Sequence, residues 1–176
     1  MLLTADISAA EDPQKPIVPV TNGRPVYALP GTIAVLPELV ERPPDDYKSS
    51  LGPKPFGVIT IEEKVLGEIY FFPLDNPATD EAAEMARSVK AGSPVTVAEK
   101  GQEVIGDEES PFVTLKVSSK GKFGNPYIIH SVYLPRKQRS VTFKLVASEK
   151  DFSRLKPLFY AVFDTGKPDK ESQKDK

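Results

Sequence analysis

Proline sets the strongest constraint on this chain. Ten of its 18 prolines fall between Pro13 and Pro55. Proline lacks an amide donor and fixes φ, so this stretch cannot be mostly helix or central strand. Residues 1–23 read as an extended arm that ends at an Asn22-Gly23 turn. Pro25–Leu29 and Thr32–Leu36 read as two short extended pieces on either side of Pro30-Gly31. Residues 37–55, with Pro43-Pro44-Asp45-Asp46 and Gly52-Pro53-Lys54-Pro55, read as a loop.

Downstream the pattern sharpens. Phe56–Glu62 and Val65–Phe72 are rich in β-branched and aromatic residues, and Glu63-Lys64 between them predicts a tight hairpin. Thr79 is a good helix cap, acids crowd the first turn, and Gly92 is a natural stop, so Asp80–Ala91 is predicted helical with a small apolar face. Val95–Lys100 and Gln102–Ile105 read as one strand or a pair bent at Gly101, and Asp107 to Pro111 as a turn. Phe112–Ser118 alternates with period two, placing Val113, Leu115 and Val117 on one buried face. Tyr127–Leu134 and Ser140–Ala147 read as strands joined through Pro135-Arg136-Lys137-Gln138-Arg139. Ser148 or Asp151 can cap a last helix whose stripe is Phe152, Leu155, Phe159 and Phe163, with Pro157 as a kink or first turn. Gly166–Lys176 is a charged tail with almost no apolar residue, expected to be disordered. The domain itself is expected to span residues 24–165, as α+β: helices packed on a central antiparallel sheet.

The carboxy-terminal half carries a resemblance. A strand opens at Gly124-Asn125-Pro126-Tyr127, a second runs through Val141–Ala147, and a helix follows from Asp151. This resembles the end of PsbP-like and DcrB-like domains, whose last helix opens with an aromatic residue and closes with one near a small polar residue. Phe152 and Phe163-Asp164-Thr165 fill those places here. The hairpin, the helix after it and Val26-Tyr27-Ala28-Leu29-Pro30-Gly31 are similar to the family's earlier elements. The proline-rich 37–55 segment and the lack of tryptophan depart from it. The resemblance implies an α/β/α sandwich around an antiparallel sheet. It also implies members that act mostly by binding, among them extrinsic photosystem II subunits, bacterial envelope proteins and a nuclear-transport factor. They share no active site, so no functional residue transfers.

Charge and motifs exclude several functions. The 23 basic and 25 acidic residues leave a net charge of −2, which gives no field for nucleic acid. No run of eighteen apolar residues is long enough to span a membrane as a helix. The first ten residues lack the basic start of a secretory signal. The absence of cysteine removes thiol catalysis, disulfides and cysteine metal sites. Glycine spacing fits neither a phosphate loop nor a nucleophile elbow. Asp45-Asp46 and Asp107-Glu108-Glu109 lack the spacing of a calcium loop and read as solvated turns.

Two candidates remain. His130, the only histidine, shares a strand face with Ile128, Val132 and Leu134 and reads as a partly buried sheet residue. Catalysis would require an orienting carboxylate and a nucleophile beside it. Arg136, Lys137 and Arg139 form the densest basic cluster. They are the candidate partner-binding residues for an acidic protein or, weakly, an anionic membrane surface. The chain is therefore expected to be a non-catalytic binding or structural module, an accessory subunit or envelope-associated domain. It is expected to have a protein partner, no cofactor and no metal, and an extracytoplasmic location ahead of a cytoplasmic one. A small-ligand carrier with an apolar pocket beside Phe152–Phe163 and a hydrolase using His130 are the alternatives.

Overall fold

The computed structural model describes residues 16–19, 25–29, 32–74, 81–105, 108–134 and 140–162. Strands β1 (Pro16–Pro19), β2 (Pro25–Leu29) and β3 (Thr32–Val35) make a three-stranded antiparallel sheet in chain order. A seven-stranded sheet follows. Its members are β4 (Val40–Glu41), β5 (Gly57–Ile61), β6 (Lys64–Leu74), β7 (Val95–Ile105), β8 (Glu108–Val117), β9 (Tyr127–Leu134) and β10 (Ser140–Ser148). They lie in the order β4-β5-β6-β10-β9-β8-β7, every pair antiparallel. Helix α1 (Glu81–Ser88) comes between β6 and β7, and α2 (Glu149–Ala161) follows β10.

Alternation along the strands separates two cores. On one face, Ile59, Ile69, Val132, Leu134, Val141, Phe143 and Leu145 bury Leu155 and Phe159 of α2 together with Val162. On the other, Val113, Leu115 and Tyr133 pack with Ala82 of α1 and with Met85, Ala86 and Val89 beside it. Helices thus cover both faces of an antiparallel sheet: the α+β class expected from element order, in the sandwich arrangement that the resemblance implied. Because β8 and β9 are covered twice, Phe112 and Thr114 are buried on the face opposite Val113 and Leu115. The single buried face read for β8 is therefore two.

Local chemistry explains the ends of elements and the misread ones. The β5–β6 turn is Glu62-Glu63, both left-handed (φ 51° and 60°), while Lys64 already pairs with Ile61. Two left-handed residues make the hairpin turn whose twist suits the strands, and glutamates hide it where Asn-Gly would have shown it. Strand β7 is one continuous strand, with its irregularity between Val97 and Glu99 and no break at Gly101. Gly101 instead gives room to the Phe112 ring, whose carbons would stand 3.1 and 3.2 Å from an added Cβ. Glu108–Pro111, read as a turn, belong to β8, and Asp107 lies outside the described residues. Helix α1 ends at Ser88, before the predicted Ala91, and its expected cap Thr79 is outside the described residues.

Ser148 caps α2. Its hydroxyl accepts from the Asp151 N–H at 3.2 Å and donates to Asp151 Oδ2 at 2.6 Å. That hydrogen bond, with Arg154 beside it, lowers the pKa of the Asp151 carboxyl. Pro157 sits inside the helix rather than at its first turn. The helix lies close on β6 because Gly67 has no side chain: an added Cβ would stand 3.1 Å from Leu155 Cδ1.

Candidate interaction surface

His130 is central in β9 and 0% exposed. Thr114 Oγ1 lies 2.8 Å from its Nδ1 and the Tyr160 hydroxyl 2.8 Å from its Nε2. The rings of Phe112, Phe152, Phe159 and Tyr160 surround it at centroid distances of 5.3 to 5.8 Å. Burial, with the Lys156 charge second, depresses its pKa to about 3. The ring is therefore neutral, one nitrogen donating and the other accepting. Neither ring nitrogen faces a carboxylate, so the arrangement required for the hydrolase reading is not formed around His130. Phe152, Leu155 and Phe159, the stripe set beside an apolar pocket, pack around this ring and into the α2 core, while Phe163 lies outside the described residues.

A second buried polar cluster holds the proline-rich segment. Glu68, 0% exposed, leaves β6 on the face opposite α2. Its carboxylate accepts from the Tyr70 hydroxyl at 2.6 Å, the Tyr47 hydroxyl at 2.9 Å, the Ser50 N–H at 3.1 Å and Lys122 Nζ at 3.0 Å. Burial alone would raise the Glu68 pKa, but these donors outweigh it and the pKa is lowered. Lys122 also donates to the Lys48 carbonyl at 2.6 Å and lies 3.6 Å from the centre of the Tyr47 ring. The Tyr70 hydroxyl in turn accepts from the Ser50 and Leu51 amides. Residues 37–55, read as a loop, pair as strand only at β4, and residues 47–51 are tied down through two amides, a carbonyl and one tyrosine. The sequence signal was a lone glutamate inside the apolar run Val65–Phe72.

The open feature of the molecule is its far edge. Among the described residues β7 pairs with β8 alone, and its other side ends the sheet. It is eleven residues long and mostly exposed, with Val104 70% and Val97 37% accessible. The opposite edge, β4, has two residues. Sheet edges are ordinarily short, bulged or charged because they present unpaired amides and carbonyls. Here the irregularity near Ala98 and the charges of Glu99 and Lys100 blunt the first half, and Glu99 to Ile105 then runs in unbroken register with β8. Where β7 passes α1, a groove of about 450 Å³ is lined by Ala83, Ala86, Arg87, Val97 and Lys100. Its floor is aliphatic and two of its five lining residues are cations.

Arg136, Lys137 and Arg139 lie outside the described residues, in the connection between β9 and β10. Asp45, in the loop, is exposed and paired with Lys54 at 2.7 Å. Among the described residues no group of three or more metal-ligating side chains converges, and no helix is long and apolar enough to cross a membrane.

No protein-family model matches the chain, and no curated protein matches it. Solved structures do. Protein of unknown function PA94 from Pseudomonas aeruginosa superposes with a TM-score of 0.42 at 13% identity, over 82% of this chain and 96% of that one. Cyanobacterial PsbP from Synechocystis superposes with a TM-score of 0.43 at 13% identity, over 74% of this chain and 82% of that one. The fold assignment itself rests on the strand order and on the two helix-covered faces.

Proposed function

We propose that this protein is a non-catalytic binding module that captures an extended segment of a partner protein along β7. The observation that carries the reading is the eleven-residue exposed edge beside the α1 groove. An incoming strand gains main-chain hydrogen bonds along such an edge, and the pocket beside it selects side chains. The groove favours a segment that sets an aliphatic side chain over Ala83, Ala86 and Val97 and an acidic one near Lys100. The accessory role and extracytoplasmic location expected from the sequence belong to the same proposal, supported by the resemblance alone. Docking at Arg136, Lys137 and Arg139, supported by their charge, is the second reading.

Selection of displayed peptides against the full chain tests the reading. Captured peptides should pair aliphatic with acidic residues, and Val97→Lys with Lys100→Glu should abolish capture while an Arg136/Lys137/Arg139→Ser variant retains it. Capture lost only in the Arg136/Lys137/Arg139→Ser variant would move the surface to the β9–β10 connection.

A further inference from the structure

Three hydrogen-bond donors lie at the centre of the sheet face opposite α2, and among the described residues none of them is hydrogen-bonded to an acceptor. Thr142 on β10 is directly opposite Tyr133 on β9, and Lys144 follows two residues on, so all three side chains leave the same face. Directly opposed residues stand about 5 Å apart at Cβ and diagonal ones about 7–8 Å, within reach of a lysine and a tyrosine. Thr142 is 2% and Tyr133 3% exposed, and neither hydroxyl has a hydrogen-bond partner. Burial raises the Tyr133 pKa; Ser131 opposes the rise from outside hydrogen-bonding geometry, and the Glu81 carboxylate at the start of α1 adds to it. Lys144 is half-buried, and burial lowers its pKa. Among the described residues it makes no ion pair. Its ammonium lies 5.1 Å from the centre of the Phe72 ring, which stacks on Tyr70 at 6.1 Å.

Buried donors and desolvated cations are ordinarily matched, because each unmatched group costs free energy. The carboxylate of Glu68, on the same face, is already engaged by four donors. We propose that Lys144, Thr142 and Tyr133 bind a small carboxylate that carries an apolar body. One ammonium and two neutral hydroxyls balance a single negative charge, so a phosphate dianion would leave charge uncompensated in a desolvated site. The half-buried Phe72 ring supplies the surface against which the apolar body lies. The site is on a different part of the sheet from the β7 edge and does not depend on the reading given to it.

Titration of the full chain with benzoate, its neutral counterpart benzamide and inorganic phosphate tests the assignment, read from the backbone amide shifts of Thr142 and Lys144. Benzoate should move both signals, with benzamide and phosphate at least about tenfold weaker, and Lys144→Met and Thr142→Val should each weaken benzoate about tenfold. Both substitutions keep the shape of the side chain, and the remaining amide signals report whether the fold is kept. Equal binding of benzamide, benzoate affinity unchanged in both variants, or signals that stay still up to about 10 mM benzoate would each overturn it. Shifts confined to the groove at Arg87 and Lys100 would overturn it as well.

Discussion

At the scale of single residues, two buried polar groups make stability depend on pH in different windows. His130 stays neutral in the folded chain down to about pH 3, whereas an unfolded histidine protonates near pH 6.5. Between those values the unfolded chain holds the extra proton, so stability falls as the pH is lowered, by up to about 1.4 kcal/mol per pH unit. Chemical denaturation at pH 5 and pH 7 should show this slope in the native protein. It should largely disappear in His130→Gln, which keeps hydrogen-bonding groups near Thr114 and Tyr160 but does not titrate. Glu68 acts lower. Its depressed pKa gives stability that is present above the ordinary carboxylate range and is lost as pH falls through the depressed value. Glu68→Gln keeps one acceptor oxygen, so an amide NH2 group faces either the Ser50 N–H and the Tyr70 hydroxyl or the Tyr47 hydroxyl and Lys122. We expect a loss of about 3 kcal/mol in denaturant titrations, with faster amide exchange at Ser50 and Leu51. Unchanged exchange there would mean that something else holds the proline-rich segment.

At the scale of elements, α2 combines a strong cap with an internal proline. Pro157 removes one helical hydrogen bond and is exposed, so Pro157→Ala should raise stability by about 1–3 kcal/mol, measured as a higher melting temperature. Leu155→Ala, at the contact with Gly67, should cost about 2–5 kcal/mol. Elements with strong local patterns were legible in the sequence. The period-two runs of β8, β9 and β10 needed no tertiary information, and the cap of α2 was narrowed to Ser148 or Asp151. What was not legible depended on partners distant in sequence. Glu108–Pro111 carry turn residues yet are drawn into β8 by pairing with Gln102 to Ile105. The turn at Glu62-Glu63 uses residues with no turn signature because the flanking strands impose it. Lys144, between Phe143 and Leu145, gave no sign that its face of the sheet was covered.

At the scale of the whole molecule, the strand order decides which surface is offered. Among the described residues the sheet ends in a two-residue strand on one side and in an unpaired eleven-residue edge on the other. The candidate site was only half readable for that reason. His130 was correctly placed as a sheet residue, but which strand ends the sheet is a property of topology, and nothing local to Val95–Ile105 announces it. The basic cluster at Arg136, Lys137 and Arg139 was visible as composition, while the edge was visible only as architecture. The most direct measurement is backbone amide hydrogen exchange of the full chain, alone and with a selected aliphatic-acidic peptide. The account predicts new protection along Glu99 to Ile105, with the amides of β5 and β6 unchanged. Peptide binding that leaves the β7 amides exchanging at their free rate would contradict it.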